Sequence, residues 1–385
     1  MTTTELTTLD TSTTSTNVAP TSQYLTPDEQ QRIVDRMGNA TTPQTLRTYG
    51  AHVRQFADYC AGRGWAWVPG NVFALDATVR NADETLPTPA CLEWVLGYLE
   101  HLANNGLSLA TIDGRIRALN SWHTQYGFTR PDDPTLFRPN DPRVNKWFKA
   151  YCNDLANANA DGQLTTKEAP AMLRDHLRAM VRACDTSTLV GLRDRALLLV
   201  GWSGAFRRSE LATVVVENIV WDTYGRGAIV QVYNTKTNKR GAIEKQLDAQ
   251  PNDPELCPVV ALRAWLNASG VSSGRVFRRF DKWGRVGTAS VSPRYVDMVV
   301  RRYDLASAVA AVAAAVAAGT TPEDTTPAPV GFSAHSLRAG YATQATIDGV
   351  PDAVIRSQGW SDNSTVVFRY QRRAGRFQQP RVKLL

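Results

Sequence analysis

Between Thr42 and Tyr151, apolar side chains recur every three or four positions, the period of helices that turn one face to a core. Leu46, Tyr49, Val53, Phe56 and Cys60 follow Thr42-Pro43, a capping residue and a proline suited to a first helical turn, and Gly62 and Gly64 end the run. Leu92, Val95, Leu99 and Leu102 predict a helix opening at Thr88-Pro89, and Ile112, Ile116 and Leu119 one opening at Ser108. Asp141-Pro142 opens another. Upstream, Thr26-Pro27-Asp28-Glu29 has the spacing of a capping box and starts the series. An all-helical domain of five helices over 26–152 is the expectation.

The pattern then changes. Asn153 to Thr166 is polar, with Asn157, Asn159, Asp161 and Gly162, and reads as a linker. Beyond it, 167–385 forms a second domain. Pro170 to Ala183 and Thr188 to Ser203 carry helical spacing, while Gly227 to Tyr233 and Gly241 to Leu247 read as two strands flanking a polar turn. Helices resume near Pro258 and at Ser292-Pro293. Leu305 to Ala318 has high helix propensity, and Gly319 to Pro329 is turn-rich, which predicts a flexible insertion with no assigned chemistry. The fold class is therefore mainly α in two domains, the second with one small antiparallel sheet.

Composition narrows the function classes. At 385 residues and 43% hydrophobic content, the chain is long enough for more than one core, and its net charge of +7 suits a polyanionic partner. Residues 1–25 are rich in Thr and Ser without Lys or Arg, so they read as a disordered tail rather than a basic targeting peptide. Cys60, Cys91, Cys152, Cys184 and Cys257 are odd in number and never form a CxxC pair. Neither a disulfide framework nor a zinc site is indicated, and a reducing cytosol fits. No apolar run has the length that crosses a bilayer.

Candidate chemistry lies in the second domain. Gly204-Ala205-Phe206-Arg207-Arg208-Ser209-Glu210-Leu211 puts a turn, two arginines and an acid at a helix start. Lys236 falls in the polar turn between the two strands. His335-Ser336-Leu337-Arg338-Ala339-Gly340, Gly359-Trp360 and Phe368-Arg369-Tyr370-Gln371-Arg372 follow in that order. Each has a bland counterpart: Arg–Glu pairs are common on surfaces, turn lysines are usually solvated, and Trp360 and Tyr370 suit packing. Their joint order carries the signal.

Taken together these segments resemble the tyrosine recombinase or phage integrase family, whose pattern has an arginine before Ser-Glu-Leu, a hairpin lysine, H-x-x-R, a glycine followed by His or Trp, and a C-terminal tyrosine. The matching residues are Arg207 with Glu210, Lys236, His335, Arg338, Trp360 and Tyr370. A tryptophan in place of the commoner histidine resembles the Cre-like members. The interval from Trp360 to Tyr370 is one residue longer than the family's usual one. The segment from Thr42 to Tyr151, notably Ala110 to Asn120, is similar to the family's core-binding domain.

The resemblance implies a mostly helical catalytic domain that closes with the core-binding domain as a C-shaped clamp on double-stranded DNA. It implies Tyr370 as nucleophile, Arg207 and Arg338 as the phosphate clamp, His335 as proton acceptor, Lys236 as proton donor and Glu210 as an orienting acid. Arginine suits a phosphate because its planar fork pairs two oxygens and stays charged. The implied reaction needs neither cofactor nor metal, and the implied assembly is a dimer on each site and a tetramer on two sites, in a bacterial or phage-encoded, cytoplasmic protein. Arg47, Arg115, Lys239 and Arg240 are candidate DNA contacts. A type IB topoisomerase and a catalytically inactive DNA-binding protein of the same fold share much of this pattern and remain open.

Overall fold

The computed structural model describes residues 41–67, 69, 87–129, 132–160, 169–233, 241–318 and 328–360. The chain divides into two compact units between Thr166 and Lys167. Among the described residues no helix is long and apolar enough to cross a membrane. The helix expected at Thr26 and the insertion at 319–327 lie outside the described residues.

The first unit contains α1 (Pro43–Gly62), α2 (Leu92–Asn104), α3 (Leu109–Gln125) and α4 (Pro142–Ala160). Thr42 and Ser108 cap α1 and α3, accepting from the backbone N–H of Thr45 and Thr111 at 3.3 Å each. The predicted apolar faces are the buried ones, with Val53, Phe56 and Cys60 of α1 meeting Val95, Leu99, Ile112 and Leu119. Helix α2 begins at Leu92, later than Thr88-Pro89. The intervening residues are held extended instead: Thr88 accepts from the Trp67 indole at 2.9 Å, and Ala90 accepts from Phe137 at 2.8 Å. Helix α4 continues well into the stretch read as a linker, because Leu155 keeps the apolar stripe half-buried while Asn153 and Asn157 fall on exposed positions.

His123 shows how this core treats a polar group. It is fully buried, its Nε2 accepts from the Ala90 N–H at 3.1 Å, and its Nδ1–H therefore donates to the Leu119 carbonyl at 2.8 Å. Burial brings its pKa down to about 4, so the ring is a neutral, satisfied core residue.

The second unit contains α5 (Arg174–Arg182), α6 (Leu189–Ser203), α7 (Arg208–Thr213), β1 (Ile219–Trp221), β2 (Gly227–Val232), β3 (Ile243–Asp248), α8 (Pro258–Ser269), β4 (Arg278–Phe280), β5 (Val286–Ser290), α9 (Pro293–Ala317), α10 (Ala334–Ile347) and α11 (Asp352–Ser357). Helix α6 is the centre: Ala196, Leu197, Leu198, Leu199 and Val200 are all buried, around the helix rather than on one face. Trp265 of α8, Phe206 and Leu337 share its core.

Among the described residues two antiparallel sheets are present where the sequence predicts one: β1-β2-β3 and the hairpin β4-β5. In the first, Ile219 pairs with Val230 and Val230 with Lys245, so these three side chains share the inward face of the sheet. All three are buried. The five cysteines are free: Cys60, Cys184 and Cys257 are buried, while Cys91 and Cys152 are half-buried.

Candidate active site

Arg207 is placed by the turn that ends α6. Ala205 takes φ 47°, in the left-handed region seldom used by residues other than glycine, and its carbonyl accepts from both Lys245 Nζ (3.3 Å) and Arg338 Nη1 (2.5 Å). Arg207 then caps α7. Its backbone N–H donates to Glu210 Oε2 at 3.0 Å and its Nη1 to Oε1 at 2.5 Å. Burial works against ionisation of Glu210, but Lys245, the Arg207 hydrogen bonds and the Arg207 charge together hold its carboxyl below the usual range. The acid is therefore a carboxylate that fixes the arginine's fork.

His335 and Arg338 enter on α10, whose start is tied to α9. The Asp304 carboxylate accepts from the N–H groups of Val330, Gly331 and Phe332, and Asp297 accepts from Ala334. Gly340 lets α10 approach the chain before α5: a Cβ there would lie 1.9 Å from the Met172 carbonyl oxygen. That glycine serves helix packing, two residues beyond the arginine.

Arg338 is 3% exposed and donates through Nη2 to the Gly359 carbonyl at 2.9 Å. Its guanidinium lies 3.6 Å from the centroid of the Trp360 ring. Trp360, itself 8% exposed, stacks in turn beside Tyr341. The indole thus supports the guanidinium plane by cation–π contact, a role that needs no titratable proton. His335 is on the solvent side of α10. Partial desolvation, then the charges of Arg338 and Arg207, lower its pKa, so at neutral pH the imidazole is mostly neutral and able to accept a proton.

The fold pairs Arg207 with Glu210 and Arg338 with Trp360 by direct contact, joins the two pairs through the Ala205 carbonyl and Lys245, and brings His335 within reach of both arginines' charges. Lys236, Tyr370, Lys239 and Arg240 lie outside the described residues. Arg47 is exposed on α1. Arg115 is half-buried on α3, donates to the Tyr98 hydroxyl and lies over the Tyr98 ring, so much of its surface is used inside the first unit. Among the described residues, no group of three or more His, Cys, Asp or Glu is placed to hold a metal ion.

Sequence reasoning missed Lys245. It is fully buried at the centre of the cluster, 3.7 Å from Glu210 Oε2 and 2.5 Å from the Gln358 carbonyl. The signal was available in Ile243-Glu244-Lys245-Gln246-Leu247, where strand alternation puts the lysine on the same face as Ile243 and Leu247.

No family profile matches the chain. An integrase/recombinase described as a xerD homolog, from Selenomonas ruminantium, is 24% identical over 335 residues, covering 87% of this chain and 83% of the relative. Among solved structures, the Tn1549 transposon integrase in complex with transposon right end DNA matches with a TM-score of 0.50 at 12% identity, over 89% of this chain and 92% of that one. A lambda integrase dimer bound to a core site matches at a TM-score of 0.46 and 12% identity, over 92% and 79%. The narrower likeness to Cre-like members is loose. The chain is thus similar to this integrase/recombinase over most of its length, and the arginines, glutamate, histidine and tryptophan gathered here are those that the resemblance to the tyrosine recombinases implies.

Proposed function

We propose that the chain is a site-specific DNA recombinase that cuts one strand through Tyr370, holds the break as a 3′-phosphotyrosyl bond and rejoins it to a partner strand. The observation that carries this reading is the pair of arginines held by Glu210 and Trp360 beside a neutral His335. Two fixed guanidinium groups favour the charge that builds on the non-bridging oxygens as phosphorus is attacked.

In the proposed step, Tyr370 Oη bonds to phosphorus while the bond from phosphorus to the 5′-oxygen breaks. The phenol, with an ordinary pKa near ~10, passes its proton to His335, and the departing 5′-oxygen takes one from Lys236. Rejoining reverses both transfers. The phosphotyrosyl bond conserves the energy of the broken linkage, so the proposed cycle draws on no nucleotide cofactor and no metal.

The partner is double-stranded DNA, taken as one dimer on each short recombination site and a tetramer across two sites. The first unit serves as the core-binding domain, with Arg47 among its phosphate contacts, and binding weakens with salt as counterions compete. Incubation with a plasmid bearing two copies of an inverted repeat from the flanking DNA should yield resolved circles. Relaxation without regard to site would overturn the recombinase reading in favour of topoisomerase action. Tyr370→Phe should keep DNA binding and lose the covalent adduct; an adduct that persists would remove Tyr370 as nucleophile.

A further inference from the structure

The sheet's inward face carries a lysine where its neighbours are Ile219 and Val230, and that lysine points into the junction of the catalytic segments. Lys245 Nζ faces three oxygens: the Ala205 carbonyl at 3.3 Å, the Gln358 carbonyl at 2.5 Å and Glu210 Oε2 at 3.7 Å. An ammonium has three donors, one for each. A neutral amine has two and presents a lone pair to the third oxygen. The same strand is fastened to the same segment a second time, because the Gln358 side chain accepts from the Gln246 N–H at 3.2 Å and donates to the Gln246 carbonyl at 3.1 Å. Gly359 completes the fit: at φ 100°, a Cβ there would sit 2.9 Å from Lys245 Nζ.

We propose that Lys245 is a positioning residue of the phosphate site, joining the turn that bears Arg207 to the segment that bears Trp360, and that an anion held between Arg207 and Arg338 draws a proton onto it. The inference rests on the reading of those two arginines as the phosphate clamp. The charged groups facing Lys245 are Arg207 of the α6–α7 turn, Glu210 of α7 and Arg338 of α10, while the segment after α11 offers the Gln358 carbonyl and Phe206 places its ring 5.2 Å away. Burial, then Arg338, with Arg207 adding and Glu210 opposing, brings the lysine down to about 7. Without an anion, the ammonium is close to losing its proton. An anion between the arginines offsets their charge and restores it. The three-oxygen joint is then complete when phosphate is in place and looser when the site is empty.

The full-length protein, labelled with carbon-13 in its lysine side chains, tests this by NMR titration from about pH 5 to pH 10, with and without inorganic sulfate as the phosphate stand-in. One lysine should titrate near neutrality instead of near ~10.4, and sulfate should move its midpoint upward by about one unit or more. That resonance should vanish in Lys245→Met. Should Lys245→Met fail to fold, Lys245→Arg supplies the assignment. Lysines that all titrate at the ordinary value, a low midpoint that sulfate leaves in place, or a low midpoint that survives replacement of Lys245 would each overturn the inference; the first two outcomes need no variant.

On a cleavable duplex, Lys245→Met should slow adduct formation at least about tenfold, since Glu210 and two carbonyls lose a donor. Lys245→Arg, charged at every working pH, should recover part of the rate and remove the lysine's ionisation from the pH profile. A wild-type protein that forms no DNA adduct would sink the recombinase reading and leave the lysine titration standing. An adduct without the sulfate-dependent shift would sink only the inference.

Discussion

The second unit holds two buried clusters of arginine and carboxylate, and they are built to opposite ends. In one, Arg193 lies 4.7 Å from the ring centroids of both Phe280 and Tyr295, donates to Asp194 at 2.8 and 3.0 Å and to the Arg278 carbonyl at 3.0 Å, and Arg302 reaches the same carboxylate at 3.2 Å. Arg193 is 1% exposed and Asp194 fully buried. In the other, Glu210 takes Arg207 at 2.5 Å and Lys245 at 3.7 Å, while Lys245 and Arg338 share the Ala205 carbonyl. The first cluster fastens α6 to α9 and β4 around a saturated acid. The second joins its cations through a shared backbone oxygen, the Ala205 carbonyl, beside the two guanidinium groups proposed to meet phosphate. Burial of charge alone does not mark a functional site.

Breaking each cluster should therefore fail in a different way. Arg193→Met leaves Asp194 buried without its main partner and should cost about 3–5 kcal/mol, lowering the melting temperature by about 10 °C, while molecules that remain folded form the DNA adduct at the wild-type rate. Arg338→Lys should do the reverse. Adduct formation should fall on the order of 10²–10³-fold with the melting temperature nearly kept, because the charge stays but the fork over Trp360 is lost. Melting scans paired with single-turnover adduct assays read both, and two variants with the same phenotype would erase the distinction.

The largest acid sensitivity between pH 6.5 and 4 should lie outside both clusters. His123 in the first unit has a folded pKa of about 4 against an ordinary 6.5, so the unfolded chain binds its proton first as pH falls. Its contribution is complete above pH 6.5 and disappears as pH drops toward 4, a loss of about 3 kcal/mol. Chemical denaturation across that range measures it, and a flat profile would refute the assignment. The smallest effect is expected at Trp360. Trp360→Leu removes a cation–π contact worth about 1 kcal/mol and should slow cleavage up to about tenfold with DNA affinity unchanged. Equal losses of affinity and rate would indicate that the indole does more than brace Arg338.

Much of this was legible in the residues because the strongest signals are local. Caps at Thr42, Ser108, Thr188 and Ser292 mark helix starts that the structure bears out to within a residue, since a side-chain oxygen three positions before a backbone N–H needs no tertiary partner. Thr88-Pro89 misled for the converse reason: distant groups, Trp67 and Phe137, claim that backbone first. Strands β4 and β5 are short and half-exposed, with little alternation to read, and their register slips between Arg278 and Phe280. The order of Arg207, His335, Arg338 and Trp360 was visible, but the contacts joining them were not. The strand bearing Lys245 and the segment bearing Gln358 meet across more than a hundred residues, a separation that no window on the sequence spans.

Ala205 has a consequence for how this site can be dissected. Its methyl group takes no part in the chemistry, yet its carbonyl is the shared acceptor of Lys245 and Arg338, held by a left-handed turn. Alanine scanning passes over it, because the position is already alanine. A search for catalytic side chains is thus blind to an oxygen on which two of the site's cations converge. Replacing the peptide linkage after Ala205 with an ester, which weakens that carbonyl as an acceptor without changing any side chain, is the perturbation that would reach it.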